Sequence, residues 1–228
     1  MGGNNLEEPY NSLVDDHVLA LARRNRGRER PRVCFVPTAS GDSATYVATF
    51  YAAFAQRAEA SHLALFGRTV DDLERFVLDQ DVIYVGGGNT ANMLAVWRVH
   101  GLDRLLARAW ADGTVLAGTS AGANCWFEAS STDSFGPLAA LPDGLGFLAG
   151  SHSPHYDGEP GRRPLFRDLI GRGILPDGYA SDDGAALVFE GRELAEVVAS
   201  LPGARAYRVV RAAAGVAEET ELPTRYLG

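Results

Sequence analysis

Apolar, β-branched runs in the first half of this chain each give way to Gly, Pro, Ser or Asp and then to a stretch with helical spacing. Such a repeat predicts βα units around a mostly parallel sheet, because strands buried on both faces need helices to cover them. Strands are predicted at 32–37, 62–66, 81–85 and 114–117, and helices at 43–58, 71–77, 89–97 and 102–111. From Ser120 to Asp157 the pattern loosens into Gly- and Ser-rich loops, followed by a helix at 162–172. The tail, at 185–189, 194–200 and 204–211, reads as short strands of an antiparallel meander separated by Gly-Arg and Pro-Gly turns. The opening Met1-Gly-Gly-Asn-Asn5 stands where such a sheet would start with a strand, as expected if an opening strand has been lost.

At 228 residues, with no Pro- or Ser-rich linker, one domain spanning 1–228 is expected. An apolar share of 46% beside 22% charged residues suits a soluble globular chain, and no apolar run approaches a bilayer span. The formal net charge of −8 argues against nucleic-acid binding and leaves small or peptide-sized ligands as the expected partners. All positive charge sits on arginine, from which no mechanism follows. Two cysteines, Cys34 and Cys125, are too few for a disulfide framework or a metal cluster, and the absence of a signal-like start leads to the expectation of a cytoplasmic location.

The segment Thr114-Val-Leu-Ala-Gly118-Thr-Ser120-Ala-Gly122 joins a buried strand to a helix through Gly-x-Ser-x-Gly. A nucleophile elbow needs that context, since flanking glycines leave room for a sharp turn that lifts the hydroxyl clear of the sheet. Ala121 N–H would then face a developing oxyanion; a tight turn with no chemistry is the competing reading of the pentapeptide alone. Gly86-Gly87-Gly88-Asn89-Thr90 also lies between strand and helix, so Gly87 and Gly88 are the further candidate oxyanion donors. With no lysine for a P-loop and no G-x-G-x-x-G spacing, a phosphate or dinucleotide loop is disfavoured.

Of five histidines, His152 and His155 lie in a loop-like stretch, Ser151-His-Ser-Pro-His155-Tyr-Asp157, and Pro154 would stiffen the backbone before His155. A metal site of His152, His155 and Asp157 would need a fourth partner and would leave the elbow without a use. The carboxylate that orients the imidazole has three candidates, Asp182, Asp183 and Asp133.

Three segments in register, Gly86 to Thr90, Gly118 to Asn124 and Ser153 to Tyr156, resemble the motifs of the peptidase E family, serine peptidase family S51. The resemblance implies a flavodoxin-like three-layer sandwich, related to class I glutamine amidotransferases, with a mostly parallel central sheet and a small C-terminal antiparallel extension. It also implies Ser120 as nucleophile, His155 as general base and an acid at Asp183, where known relatives carry glutamate; Asp133 matches another aspartate implicated in the family. Arg162 or Arg163 falls near an arginine that binds an N-terminal aspartate of dipeptide substrates, and Asn89 and Thr90 are expected to contribute to substrate binding. The segments around Cys125, Phe135 and Asp157 depart from those dipeptidases and look like a peptidase E-like subgroup. The expected enzyme is thus a serine dipeptidase needing no cofactor or metal, acting on small peptides, with a homo-oligomer left open. A cyanophycinase-like hydrolase of β-Asp-Arg units and a non-catalytic anion-binding module are the alternatives, while an amidotransferase would need a cysteine nucleophile.

Overall fold

Alternation of side chains along four parallel strands builds the three-layer core in the computed structural model, which describes residues 1–2, 11–212 and 215–228. Strands β1 (Arg32–Val36), β2 (Glu59–His62), β3 (Val82–Val85) and β4 (Val115–Gly118) lie in the order β2-β1-β3-β4. Val33, Phe35, Val82 and Tyr84 face one side, where Val18, Leu19 and Ala22 of α1 (Leu13–Arg26) and Phe50 and Phe54 of α2 (Ala44–Phe54) cover them. Cys34, Val36, Ile83 and Val85 face the other, under α3 (Leu73–Leu78), α4 (Thr90–His100) and α5 (Leu102–Ala111). The period of two along each strand thus fills both layers.

Helix α1 was not anticipated from the sequence, although its signals are local. Asp15 and Asp16 stand in its first turn, three arginines in its last, and Gly27, at φ 67°, ends it in the left-handed conformation. β2 lies three to four residues earlier than predicted, as an edge strand of weak apolar character. The leucines that suggested the later position, Leu63 and Leu65, are buried by a connection whose Leu65 and Phe66 amides donate to the Asp42 carboxylate, each at 2.7 Å.

Past α6 (Ala121–Asn124), the expected loops instead contain three strands, β5 (Phe127–Thr132), β6 (Ala139–Leu141) and β7 (Leu148–Ser153). The predicted helix is α7 (Arg162–Gly171), and β8 (Gly178–Ser181) follows it. The tail is divided between two sheets rather than forming one meander. β9 (Ala185–Glu190) and β10 (Glu193–Ala199) are antiparallel, with β13 (Thr224–Tyr226) alongside β10. β11 (Ala206–Arg211) and β12 (Ala217–Glu221) join the order β12-β11-β8-β7-β5-β6. Helix α7 covers this mixed sheet through Phe166, Leu169 and Ile170. Residues 3–5 of the opening segment lie outside the described residues. No helix among the described residues is long and apolar enough to cross a membrane.

Candidate active site

The C-terminal end of β4 runs into Ser120, whose backbone, at φ 53° and ψ −114°, adopts a conformation that residues with a side chain rarely hold. The turn closes only because its flanks are glycine. A Cβ on Gly118 would come 2.1 Å from the Gly122 carbonyl oxygen, and one on Gly122 would come 2.3 Å from that of Val85. The Gly-x-Ser-x-Gly spacing is therefore a packing requirement of this elbow.

Ser120 Oγ lies 2.9 Å from His155 Nε2, and His155 Nδ1 lies 2.7 Å from Asp183 Oδ1. With an ionised Asp183 able only to accept, Nδ1 carries the proton and donates it to the carboxylate, leaving Nε2 to accept from the Ser120 hydroxyl. His155 follows β7 and Asp183 follows β8, so two neighbouring parallel strands of the six-stranded sheet deliver the imidazole and its carboxylate to the elbow that follows β4. His155 also holds a positive φ of 52°. Its turn is closed by the Glu159 amide donating to the His155 carbonyl.

The glycine loop borders the same crevice. A Cβ on Gly87 would sit 3.4 Å from Ser120 Cβ, while Gly88, at φ 132°, passes so close to Ala39 that a Cβ would lie 2.3 Å from its carbonyl oxygen. Among the described residues, the N–H groups of Gly87, Gly88 and Ala121 donate to no protein acceptor. The Ser120 N–H does, reaching the Met1 and Gly2 carbonyls at 3.2 Å each.

The other predicted residues are spread more widely. Asp133 is exposed and stays outside the Ser120–His155–Asp183 chain; its carbonyl accepts from Gly136 N–H. Asp182 points away from His155, with Oδ2 accepting from Arg205 N–H at 3.0 Å and from the Tyr207 hydroxyl at 3.4 Å. Arg162 is buried, donating from Nε to Glu159 at 2.7 Å and from Nη1 to the Ser131 carbonyl at 3.1 Å. Arg163 pairs with Glu219 and lies over the rings of Tyr156 and Tyr207. Asn89 caps α4 by accepting from Asn92 N–H and donates from Nδ2 to the Ser134 carbonyl, while Thr90 is buried in the first turn.

His152 and Asp157, weighed in the sequence as a base or as metal ligands, act instead as supports. His152 is fully buried, with Nδ1 at 2.9 Å from Asn124 Oδ1 and Nε2 at 3.1 Å from Ser181 Oγ. Burial holds it well below the usual histidine range and therefore neutral. It fastens α6, behind the nucleophile, to the strands that deliver His155 and Asp183. Asp157 Oδ1 accepts the Asp183 amide at 2.9 Å and so ties the acid to the histidine loop. The proximity of Asn124 to Ser120 and of Asp157 to His155 in the chain was the available signal. Cys125 is buried, its thiol pushed well above the usual range by burial, which keeps it protonated.

Burial, and then the charge of Asp157, raise Asp182 to about 6. Between its ordinary value of 3.8 and about 6 the folded state binds the extra proton, so this group's contribution to stability declines as pH rises through that window. Asp182→Asn is therefore expected to gain stability relative to the parent on going from pH 4 to pH 7, by up to about 2 kcal/mol in urea unfolding. A parent-to-variant difference that is the same at both pH values contradicts the assignment.

The model of Peptidase family S51 matches residues 1–197. The chain is similar to the peptidase YgaJ of Bacillus subtilis, at 52% identity over 231 residues covering 100% of this chain and 97% of that protein. It is also similar to Peptidase E of Streptomyces coelicolor, at 34% identity over 134 residues covering 57% of this chain and 54% of that one. A crystal structure of a peptidase from an acI-B1 actinobacterium superposes with a TM-score of 0.71 at 18% identity, covering 98% of this chain and 92% of that one, and shares its fold. The α/β architecture, the three ordered motifs and the family match agree: this chain is a peptidase and belongs to family S51, the peptidase E family.

Proposed function

We propose that this enzyme hydrolyses short peptides through an acyl-enzyme on Ser120. The hydrogen-bonded chain from Ser120 Oγ through His155 to Asp183 carries the reading, because it supplies a nucleophile, a base in the required tautomer and an orienting carboxylate. His155 Nε2 takes the hydroxyl proton as Oγ bonds to the scissile carbonyl carbon. The oxyanion is received by N–H groups of Gly87, Gly88 and Ala121, which have no competing protein acceptor among the described residues. His155 returns its proton to the leaving amine as the C–N bond breaks; a water, deprotonated by the same nitrogen, then attacks the acyl carbon, and His155 passes that proton to Ser120 Oγ as the ester bond breaks. Every proton passes through one imidazole, and the scheme calls for no cofactor.

A fluorophosphonate probe is expected to label Ser120 stoichiometrically, as read by intact mass and peptide mapping. An unmodified Ser120 would favour the non-catalytic anion-binding module.

The preference for an N-terminal aspartate turns on Arg162. Its Nε and one hydrogen of Nη1 are engaged by Glu159 and Ser131, which leaves the second Nη1 hydrogen and both on Nη2 with no protein acceptor among the described residues. The Glu159 carboxylate already pairs with this guanidinium, so a substrate carboxylate is expected to gain the equivalent of about one charge-assisted bond and the preference to be modest. Arg162→Ala is expected to lower kcat/KM on Asp-X about tenfold more than on Ala-X, in line with one such bond. Equal losses on the two dipeptides remove Arg162 as the selector.

A further inference from the structure

A cavity of about 820 Å³ lies between two sheets, away from the catalytic crevice, and is bordered by residues 115–118 along β4 and 186–190 along β9. Both strands present an open edge to it. Among the described residues β4 pairs with β3 and β9 with β10, and neither has a ladder on its other side. Strand edges with unused N–H and C=O groups are poor candidates for an apolar interior unless another strand completes them.

The first rung of such a strand is already in place. The Met1 nitrogen donates to the Gly118 carbonyl at 3.2 Å, and Ser120 N–H donates to the Met1 carbonyl, which is the hydrogen-bond pattern of a parallel bridge between residue 1 and residue 119. On the opposite side the Gly2 amide donates to the Ala185 carbonyl at 3.0 Å, at the head of β9. Followed backwards from Met1, the same ladder would run alongside Gly118, Ala117, Leu116 and Val115 through the cavity, antiparallel to β9. Four residues at about 3.3 Å each match the length of β4.

The walls define the chemistry of the occupant. Val14, Val18 and Leu21 of α1 line the cavity together with Trp126, Phe147 and Leu148, so a strand here meets apolar side chains. Trp126 is only 7% exposed, and its indole nitrogen has no acceptor among the described residues. A buried donor of that kind fits a site completed by further backbone carbonyls.

We infer that this cavity is a one-strand slot, filled by four to five apolar residues of polypeptide directly ahead of Met1. They would run parallel to β4 and antiparallel to β9 and merge the four-stranded and three-stranded sheets into one. The elbow's own amide already bonds to the rung at Met1 and Gly2, so the inserted strand also buttresses the nucleophile turn from behind.

The first residue of the protein isolated from its own cells, read by N-terminal sequencing and intact mass, is expected to lie at least four positions ahead of Met1, with an apolar run between. A native chain starting at Met1 or Gly2 overturns the inference. In the longer chain, amides of the added run and of residues 115–118 and 186–189 are expected to exchange at least about a hundredfold more slowly than those of the same β4 and β9 residues in the chain starting at Met1. Equal exchange of those residues in the two forms, or rapid exchange of the added run, overturns it. A dimer that persists in the longer form, with the slot protected by a second copy, overturns it as well.

Discussion

Replacing Ser120 with alanine is expected to lower kcat/KM on a cleaved dipeptide by about 10⁴-fold or more, leaving the melting temperature within about 2 °C of the parent. The loss corresponds to at least about 5.5 kcal/mol of transition-state stabilisation, because the variant retains the oxyanion donors but has no atom to form the acyl bond. Stability is expected to hold because alanine keeps the Cβ that Ser120 already carries at φ 53°, and among the described residues the hydroxyl bonds only to His155. Steady-state kinetics with a scan of thermal unfolding check both halves. Activity within tenfold of the parent would mean that another group attacks the peptide, and buried, protonated Cys125 offers no such group.

Asp183→Asn is expected to reduce kcat by about 10³-fold to 10⁴-fold at neutral pH with little change in KM. The substitution preserves shape but allows the amide to donate to His155 Nδ1. The imidazole proton then moves to Nε2, where it faces Ser120 as a donor and can no longer accept the hydroxyl proton. The backbone anchor from Asp183 N–H to Asp157 is untouched, so the effect isolates the carboxylate. Asp133→Asn, at an exposed position outside that chain, is expected to stay within about threefold of the parent, as surface substitutions usually do. If the two losses were reversed in size, the third catalytic role would belong to Asp133.

How far the site was legible follows from how local each signal is. The elbow is encoded within five residues, because the close approach of Gly118 to Gly122 and of Gly122 to Val85 excludes any other side chain there. The strands β5 and β7 were not legible, since their sequences, Phe-Glu-Ala-Ser-Ser-Thr and Leu-Ala-Gly-Ser-His-Ser, lack apolar alternation. Their polar side chains face inward and satisfy one another, as in the 2.8 Å contact between Ser131 Oγ and Ser153 Oγ and in the His152–Asn124 pair. A pattern rule that sends polar residues outward reads such strands as loops.

By itself the sequence determined the parallel βα core, the strand-to-helix turn at Ser120 and the order of its three motifs, because side-chain period and turn sterics act over a few residues. Tertiary structure decided among the three aspartates that the residues by themselves left open, and how Arg162 and Arg163 are occupied. Successive residues leaving a strand project to opposite sides, so past the end of β8 Asp182 turns to Arg205 and Tyr207 while its neighbour Asp183 reaches the imidazole. Which of two adjacent aspartates faces the histidine depends on the pairing of β8 with β7 and β11, a contact between distant segments that no local pattern records.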